Sequence, residues 1–358
     1  MKLSFNERKQ AFIVLGQKLS NVLNNVPETG AFSAAEKDFY NEIHDSASKN
    51  SWFTLENVKS AMEGVAAMLL PEALDSWLLA YPNISRQVSN PRTVAVIMAG
   101  NIPFVGFHDM LCVLLSGNRF LGKLSSQDLF LPVKFAGMLF EAEPKMEAMV
   151  SFSDGIIKEF DAVIATGSNN SARYFDYYFG KYPHIIRKNR NSLAVLTGEE
   201  TKEELTGLSN DIFQFYGMGC RNVSKILVPQ DFDFIPLIES FHSWQHLKDH
   251  SKYFNNYEYQ KAIFLVNQRP HLDNGYCLLV EDERLVSPLA VLHYEFYFSH
   301  NAVENYISTH LDALQCVVAR EGLRFNTITS VLPGEAQKPR PQDYADGVDT
   351  LSFLLDLQ

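Results

Sequence analysis

The sequence predicts an α/β protein of two domains, a helical lead-in with a Rossmann-type domain followed by a second α/β domain. Three observations lead there. The chain has 358 residues, a length that corresponds to about two domains, each able to bury a core. From Thr93 onward, short continuous apolar runs alternate with helical stretches, the pattern of buried parallel strands joined by helical crossovers. Polar glycine turns follow some of these runs, where the carboxyl edge of a parallel sheet meets a helix N-terminus and can hold phosphate.

Residues 5 to 80 read as a helical lead-in, either scaffold or lid. Phe12, Leu15, Leu19 and Val22 recur at helical spacing, and Ser33 with Glu36 forms a capping-box pattern before the next helix. Helices over 54–70 and 71–81 follow, the second opened by Pro71, whose missing N–H costs nothing in a first turn.

Val94-Ala95-Val96-Ile97-Met98 is the first strand, followed by Ala99-Gly100-Asn101-Ile102-Pro103 and an apolar helix to Ser116. Gly117 and Asn118 close that helix, and Arg119 to Leu124 is the second strand, completing a strand, helix, strand unit with a right-handed crossover. A helix over Pro132–Met146, a strand over Ala148–Phe152 and a strand over Asp161–Ala165 come next. The last of these runs into Thr166-Gly167-Ser168-Asn169-Asn170 and the helix Ser171–Phe179.

Residues 1–190 are therefore expected to form the lead-in and cofactor domain, 191–332 the catalytic domain, and 333–358 a C-terminal tail. The second domain opens with a strand over Ser192–Leu196 and a helix capped by Thr201 and Glu204, with Leu205, Leu208, Ile212 and Phe215 turned inward. A strand over Ser224–Val228, a helix over 234–247, strands near Ile263, Cys277 and Val291, and a helix after Asn301 complete it.

Composition narrows the function. A formal charge of -11 argues against a nucleic-acid partner, since phosphate backbones demand clustered Lys and Arg. The amino terminus is too polar for a signal-peptide core, and no apolar run approaches the ~20 residues of a membrane span, so a cytoplasmic protein is expected. Four scattered cysteines without Cys-x-x-Cys spacing, and the lack of a His-Glu-x-x-His pattern, give no support to a disulfide framework or a metal site.

One cysteine differs from the others. Cys112, Cys277 and Cys316 lie inside apolar runs and read as small buried hydrophobes. Cys220 sits in Phe215-Tyr216-Gly217-Met218-Gly219-Cys220-Arg221-Asn222, a polar, glycine-framed turn between a helix and a strand. Glycines let a substrate approach the backbone, and Arg221 beside the thiol would favour a thiolate. Cys220 is the candidate nucleophile; a fourth structural cysteine is the plainer alternative.

Together these segments resemble the aldehyde dehydrogenase superfamily, most closely its branch of long-chain acyl-CoA reductases, the fatty-acid reductases of bacterial bioluminescence. The resemblance runs over residues 90–300. It implies that Asn101, in Gly100-Asn101-Ile102-Pro103-Phe104, donates a side-chain hydrogen bond to the oxyanion formed on thioester attack, together with the backbone N–H of Cys220. It also implies that Lys123, with Ser125 and Ser126 after it, binds the adenosine ribose, although Leu124 stands where relatives carry proline. Ser126 takes the place of a glutamate that NAD-preferring relatives often have; without that carboxylate, NADPH is admitted and NADH stays open.

Gly167 and Ser168 resemble the turn at the cofactor pyrophosphate, with Ala172 where a second glycine is expected. Glu295, in His293-Tyr294-Glu295-Phe296, resembles the glutamate that holds the nicotinamide ribose. Hydrolytic relatives carry a general-base glutamate where this chain has Arg187-Lys188-Asn189-Arg190-Asn191-Ser192, and its absence suits an acyl-enzyme that must outlast water. The C-terminal Asp343–Asp349 segment is also characteristic of this branch, without an evident role.

The resemblance thus implies NADPH-dependent reduction of an acyl-CoA or acyl-protein thioester to an aldehyde through an acyl-cysteine. A homo-oligomer or an acyl-transferring partner protein is left open. So are three rival activities: an aldehyde-oxidising dehydrogenase using Glu199 or Glu200 as base, an acyl-phosphate reductase, and an idle acyl-binding subunit.

Overall fold

Helices of the lead-in begin where the sequence places caps. In the computed structural model, α1 (Phe5–Asn24) and α2 (Ala34–Lys49) open with reciprocal capping boxes, Ser4 with Glu7 and Ser33 with Glu36. The Thr54 side chain caps α3 (Leu55–Met68), and Pro71 starts α4 (Pro71–Leu78). The structure describes residues 3–27, 31–86, 88–167 and 169–357. It divides into two units, residues 1–188 with 339–358, and residues 189–338. Residues 339–358, the greater part of the segment read as a tail, therefore belong to the first unit.

In the first unit, β1 (Thr93–Ile97), α5 (Phe107–Leu115), β2 (Arg119–Lys123), α6 (Leu131–Ala142), β3 (Val150–Ser153), β4 (Ala162–Thr166), α7 (Asn169–Phe179) and β5 (His184–Arg187) follow the lead-in. The five strands lie in the order β3-β2-β1-β4-β5, all parallel. Because successive residues of a strand face opposite sides, Val94 and Val96 enter one core with Phe12, Phe39, Leu111 and Phe135, while Ala95 enters a second core with Val163, Ala165, Phe175 and Phe179. The lead-in helices share the first core with the sheet, which makes them scaffold.

The second unit contains β6 (Asn191–Val195), α8 (Lys202–Phe213), β7 (Val223–Pro229), α9 (Phe234–Ser240), α10 (Ser251–Val266), β8 (Leu272–Asp273), β9 (Leu278–Glu281), β10 (Val291–Tyr297), α11 (His300–His310) and β11 (Leu314–Ala319). Its sheet runs β11-β6-β7-β10-β9-β8, parallel except for the short β8. Leu193, Val195, Leu227 and Val317 pack with Val303 and Ile307 of α11.

Three local expectations need correction. The apolar run around Ile263 is the last turn of α10, with Phe264 buried and Val266 82% exposed; a short apolar run fits either element by pattern alone. His184–Arg187 and Leu314–Ala319 are strands that the reading did not assign. The helix from Pro132 stops at Ala142, and Pro144 opens a separate 3-10 turn, since proline cannot donate to the preceding helix. Residues 339–358 end in α12 (Thr350–Leu355), capped by Asp349.

Candidate active site

The sequence around Cys220 must reverse the chain between α8 and β7. It does so through Phe215 (φ 53°), Tyr216 (φ 58°) and Gly217 (φ 76°), three consecutive residues in the left-handed region. Only the glycine adopts this freely; for an aromatic residue it costs about 1–3 kcal/mol and persists because surrounding contacts enforce it. Both rings are buried, and Tyr216 packs on His250 with centroids 4.3 Å apart.

Asn222, 2% exposed, organises the turn. Its Nδ2 donates to the carbonyls of Asp211 (3.0 Å), Ile212 (3.3 Å) and Gln214 (2.8 Å), satisfying groups that a helix C-terminus leaves without partners. Its Oδ1 accepts from the Gly219 N–H at 2.8 Å, and its backbone N–H donates to the Gly219 carbonyl at 3.1 Å. From β6, the buried Ser192 hydroxyl donates to the Cys220 carbonyl at 3.0 Å and lies 3.0 Å from the Cys316 sulfur.

All four cysteines are thiols, and Cys220 alone is exposed. Burial pushes the Cys112, Cys277 and Cys316 thiols up, which keeps them protonated and inert. Arg221, placed in the sequence reading beside the thiol, donates to the Ala336 carbonyl at 3.3 Å. Sequence patterns did not reveal Asp211. Its carboxylate, on the buried face of α8, accepts from the Gly334 N–H at 2.7 Å and the Ala336 N–H at 3.0 Å, and burial pushes it up to about 7.

Parallel strands place Glu199 and Glu200 at the opposite edge of this sheet. Cys220 precedes the start of β7, which pairs with Ser192, whereas both glutamates follow Val195 at the far end of β6. Both are also engaged: Glu200 accepts from Thr197 and Gly198, and Glu199 pairs with Arg320 at 3.0 Å. Neither is placed to activate water at Cys220.

Glu295 lies opposite Leu227, four residues beyond Val223 on β7, hence about 13 Å along the strands from the edge that carries Cys220. Its carboxylate takes the ammonium of Lys225, a side chain with no exposed surface. Lys225 also donates to the Asp282 and Glu283 carbonyls at 3.0 and 2.8 Å. The structure thus gives Glu295 an ion-pair partner inside its own unit.

In the first unit, three loops emerge at the carboxyl edge of the sheet: Gly100–Asn101 after β1, Ser125–Ser126 after β2 and Gly167 after β4. Asn101 and Ser126 are exposed and Ser125 half-buried. A Cβ on Gly100 would run into the Ser125 side chain, 2.8 Å from its Cβ; one on Gly167 would stand 2.8 Å from Phe175. Lys123 donates to the Leu124 and Asp154 carbonyls at 3.0 and 2.9 Å, leaving one of its three donors. Ala172 is buried, and Ser168 lies outside the described residues.

The segment that replaces a general base is structural. Arg187, 4% exposed, makes two hydrogen bonds with Asp109 of α5, at 2.7 and 2.8 Å, and a third with Thr350 at 2.9 Å. Among the described residues, no group of three His, Cys, Asp or Glu is placed to hold a metal, and no helix is long and apolar enough to cross a membrane.

Residues 35–237 match the model of a family described as acyl-CoA reductase (LuxC). Among solved structures, aldehyde dehydrogenase 21 from Physcomitrella patens, in complex with its reaction product succinate, is 12% identical with a TM-score of 0.67, over 99% of this chain and 84% of that one. Indole-3-acetaldehyde dehydrogenase AldA from P. syringae, solved with NAD+ and IAA, is 14% identical with a TM-score of 0.62, over 90% and 73%. An oxidoreductase from Marinobacter aquaeolei is 9% identical with a TM-score of 0.63, over 90% and 75%. No curated protein matches the chain.

Proposed function

The chain belongs to the acyl-CoA reductase (LuxC) family of oxidoreductases and has the aldehyde dehydrogenase fold; from that premise we propose that it reduces an acyl thioester to an aldehyde through Cys220. The observation that carries this reading is the single exposed thiol, held in a strained, heavily hydrogen-bonded turn while the other three are buried. The Cys220 thiolate attacks the thioester carbonyl, the C–S bond to CoA or a carrier protein breaks, and the thiol is expelled, leaving an acyl-cysteine. The Cys220 N–H would stabilise the oxyanion of that step, and the family resemblance gives Asn101 as a second donor.

The carboxyl edge of the first sheet fits a dinucleotide. The loops after β1 and β4, at Gly100 and Gly167, open at that edge, and α7 turns its N-terminus to it. Lys123, Ser125, Ser126 and Gly167 would hold it, and with no carboxylate at Ser126 the 2'-phosphate of NADPH is admitted. A reduced nicotinamide held there would supply the hydride for reduction of the acyl group, and Cys220 would leave as the thiolate when the aldehyde is released. Glu199 and Glu200, remote from Cys220 along the strands, leave the acyl-enzyme without a water-activating base from that pair, which favours reduction over aldehyde oxidation.

The test follows NADPH consumption with acyl-CoAs of graded chain length, beside Cys220→Ala, with intact mass of the enzyme recorded after acyl-CoA alone. Turnover that peaks at one chain length, an acyl adduct on the wild type, and neither in the variant are expected. Unchanged turnover in Cys220→Ala would overturn the mechanism.

A further inference from the structure

We propose that Asn222 and Ser192 are positioning residues that set the direction of the Cys220 thiol and of its backbone N–H; this rests on the reading of Cys220 as nucleophile. A residue's Cα–Cβ direction is fixed once the peptide planes on both sides of it are fixed, because the planes are rigid and only φ and ψ are soft. Both planes flanking Cys220 are held. The Gly219–Cys220 peptide is tied by its carbonyl to the Asn222 N–H at 3.1 Å. In a trans peptide the N–H lies opposite the carbonyl, so the Cys220 N–H is turned away from Asn222. The Cys220–Arg221 peptide is tied by its carbonyl to the buried Ser192 hydroxyl at 3.0 Å.

The Asn222 carboxamide completes the clamp from the other side. Its Oδ1 holds the Gly219 N–H and its Nδ2 holds three carbonyls at the end of α8, so one side chain couples the helix end and the left-handed Phe215–Gly217 reversal to the Met218–Gly219 peptide, while the Asn222 backbone N–H holds the next peptide, the one that precedes the nucleophile. Asparagine is required by this pattern because it offers an acceptor and two donors on one planar group. Aspartate has the same shape but would turn a lone pair toward the three carbonyls. Ser192 is linked onward to Cys316, whose thiol, protonated by burial, can donate to the serine oxygen while the serine donates to Cys220.

The experiment measures the rate of Cys220 acylation by an acyl-CoA, by intact mass, in wild type, Asn222→Asp and Ser192→Ala, with alkylation by iodoacetamide, NADPH affinity and thermal unfolding recorded on each. For Asn222→Asp, acylation is expected to slow about 10²-fold, the scale of an ångström of misplacement, with NADPH affinity unchanged. Its rate relative to wild type should rise as pH falls, because protonating the introduced carboxyl restores one donor. Ser192→Ala should lose less in the same direction, and it decides the matter if Asn222→Asp fails to fold. Wild-type acylation and alkylation rates in a folded variant would overturn the inference. A wild type that no acyl-CoA acylates would instead overturn the assigned reaction, and the alkylation rates would then decide the positioning roles separately.

Discussion

Arg187 and Asp109 meet in two parallel hydrogen bonds of 2.7 and 2.8 Å, with both side chains only 5% exposed. A bidentate pair of this kind is well matched in geometry, and removing one partner strands the other charge away from water. Asp109→Asn should therefore destabilise the protein by about 3–5 kcal/mol. Chemical denaturation checks it: a loss below 1 kcal/mol would mean that water reaches Arg187. The pair also ties β5 to the first turn of α5, which follows the Asn101 loop.

Glu295 offers a choice between a role in holding a ribose and a role in neutralising Lys225. The geometry favours the second, since the Lys225 ammonium is fully buried and its other partners, two carbonyls and the face of the Tyr306 ring, carry no net charge. Glu295→Gln is expected to cost about 2 kcal/mol, the scale of a hydrogen bond to a charged group, while leaving KM for NADPH within about twofold, well under the tenfold that 1.4 kcal/mol would give. A tenfold rise in that KM at unchanged stability would restore the ribose role.

Much of this molecule is legible in its sequence where local chemistry decides the outcome. The boxes Ser33–Glu36 and Thr201–Glu204, Pro71, and the glycine turn before β7 all mark element ends through interactions within a few residues. Cys220 stands out for the same reason, since exposure of a thiol follows from polar neighbours. What escaped detection is long-range. Asp211 finds its partners at Gly334 and Ala336, and Arg187 at Asp109 and Thr350, separations that no periodicity encodes. Glu295 carried a plausible motif, but β10 pairing with β7 sets Lys225 beside it, and strand register is invisible in one sequence. Ile263 shows the remaining weakness: five apolar residues ending a helix look like a strand.

Tyr344 gives the Asp343–Asp349 segment its role. Its hydroxyl receives the Trp77 Nε1–H at 2.9 Å and lies 2.7 Å from the Tyr81 hydroxyl, which donates to Asp349 at 2.9 Å, so the segment is fastened to α4 by a continuous polar network. Burial raises the Tyr344 phenol, keeping it protonated as the network requires. Tyr344→Phe leaves the Trp77 donor without its acceptor and should cost about 1–3 kcal/mol. Denaturation of Tyr344→Phe, Tyr81→Phe and the double variant should show non-additivity; strictly additive losses would mean the two hydroxyls act separately.

Asp128 makes stability depend on pH. Its carboxyl sits in the turn that follows Ser125 and Ser126, with its own N–H bonded to the Ser125 carbonyl at 3.0 Å. Burial pushes it up to about 7, the Leu131 N–H opposing and the charge of Glu42 adding to the rise. In the unfolded chain an aspartate titrates near ~3.9. Between those two values the folded state holds a proton that the unfolded state has released, so stability falls as pH rises from about 4 to about 7 and levels off above, with a slope on the order of 1 kcal/mol per pH unit. Asp128→Asn keeps the shape without the titration and should make this part of the profile shallower, leaving the share of Asp211, which burial also pushes up to about 7. Thermal unfolding of wild type and variant between pH 5 and 8 decides it: parallel profiles would show that Asp128 takes up no proton on folding in this range.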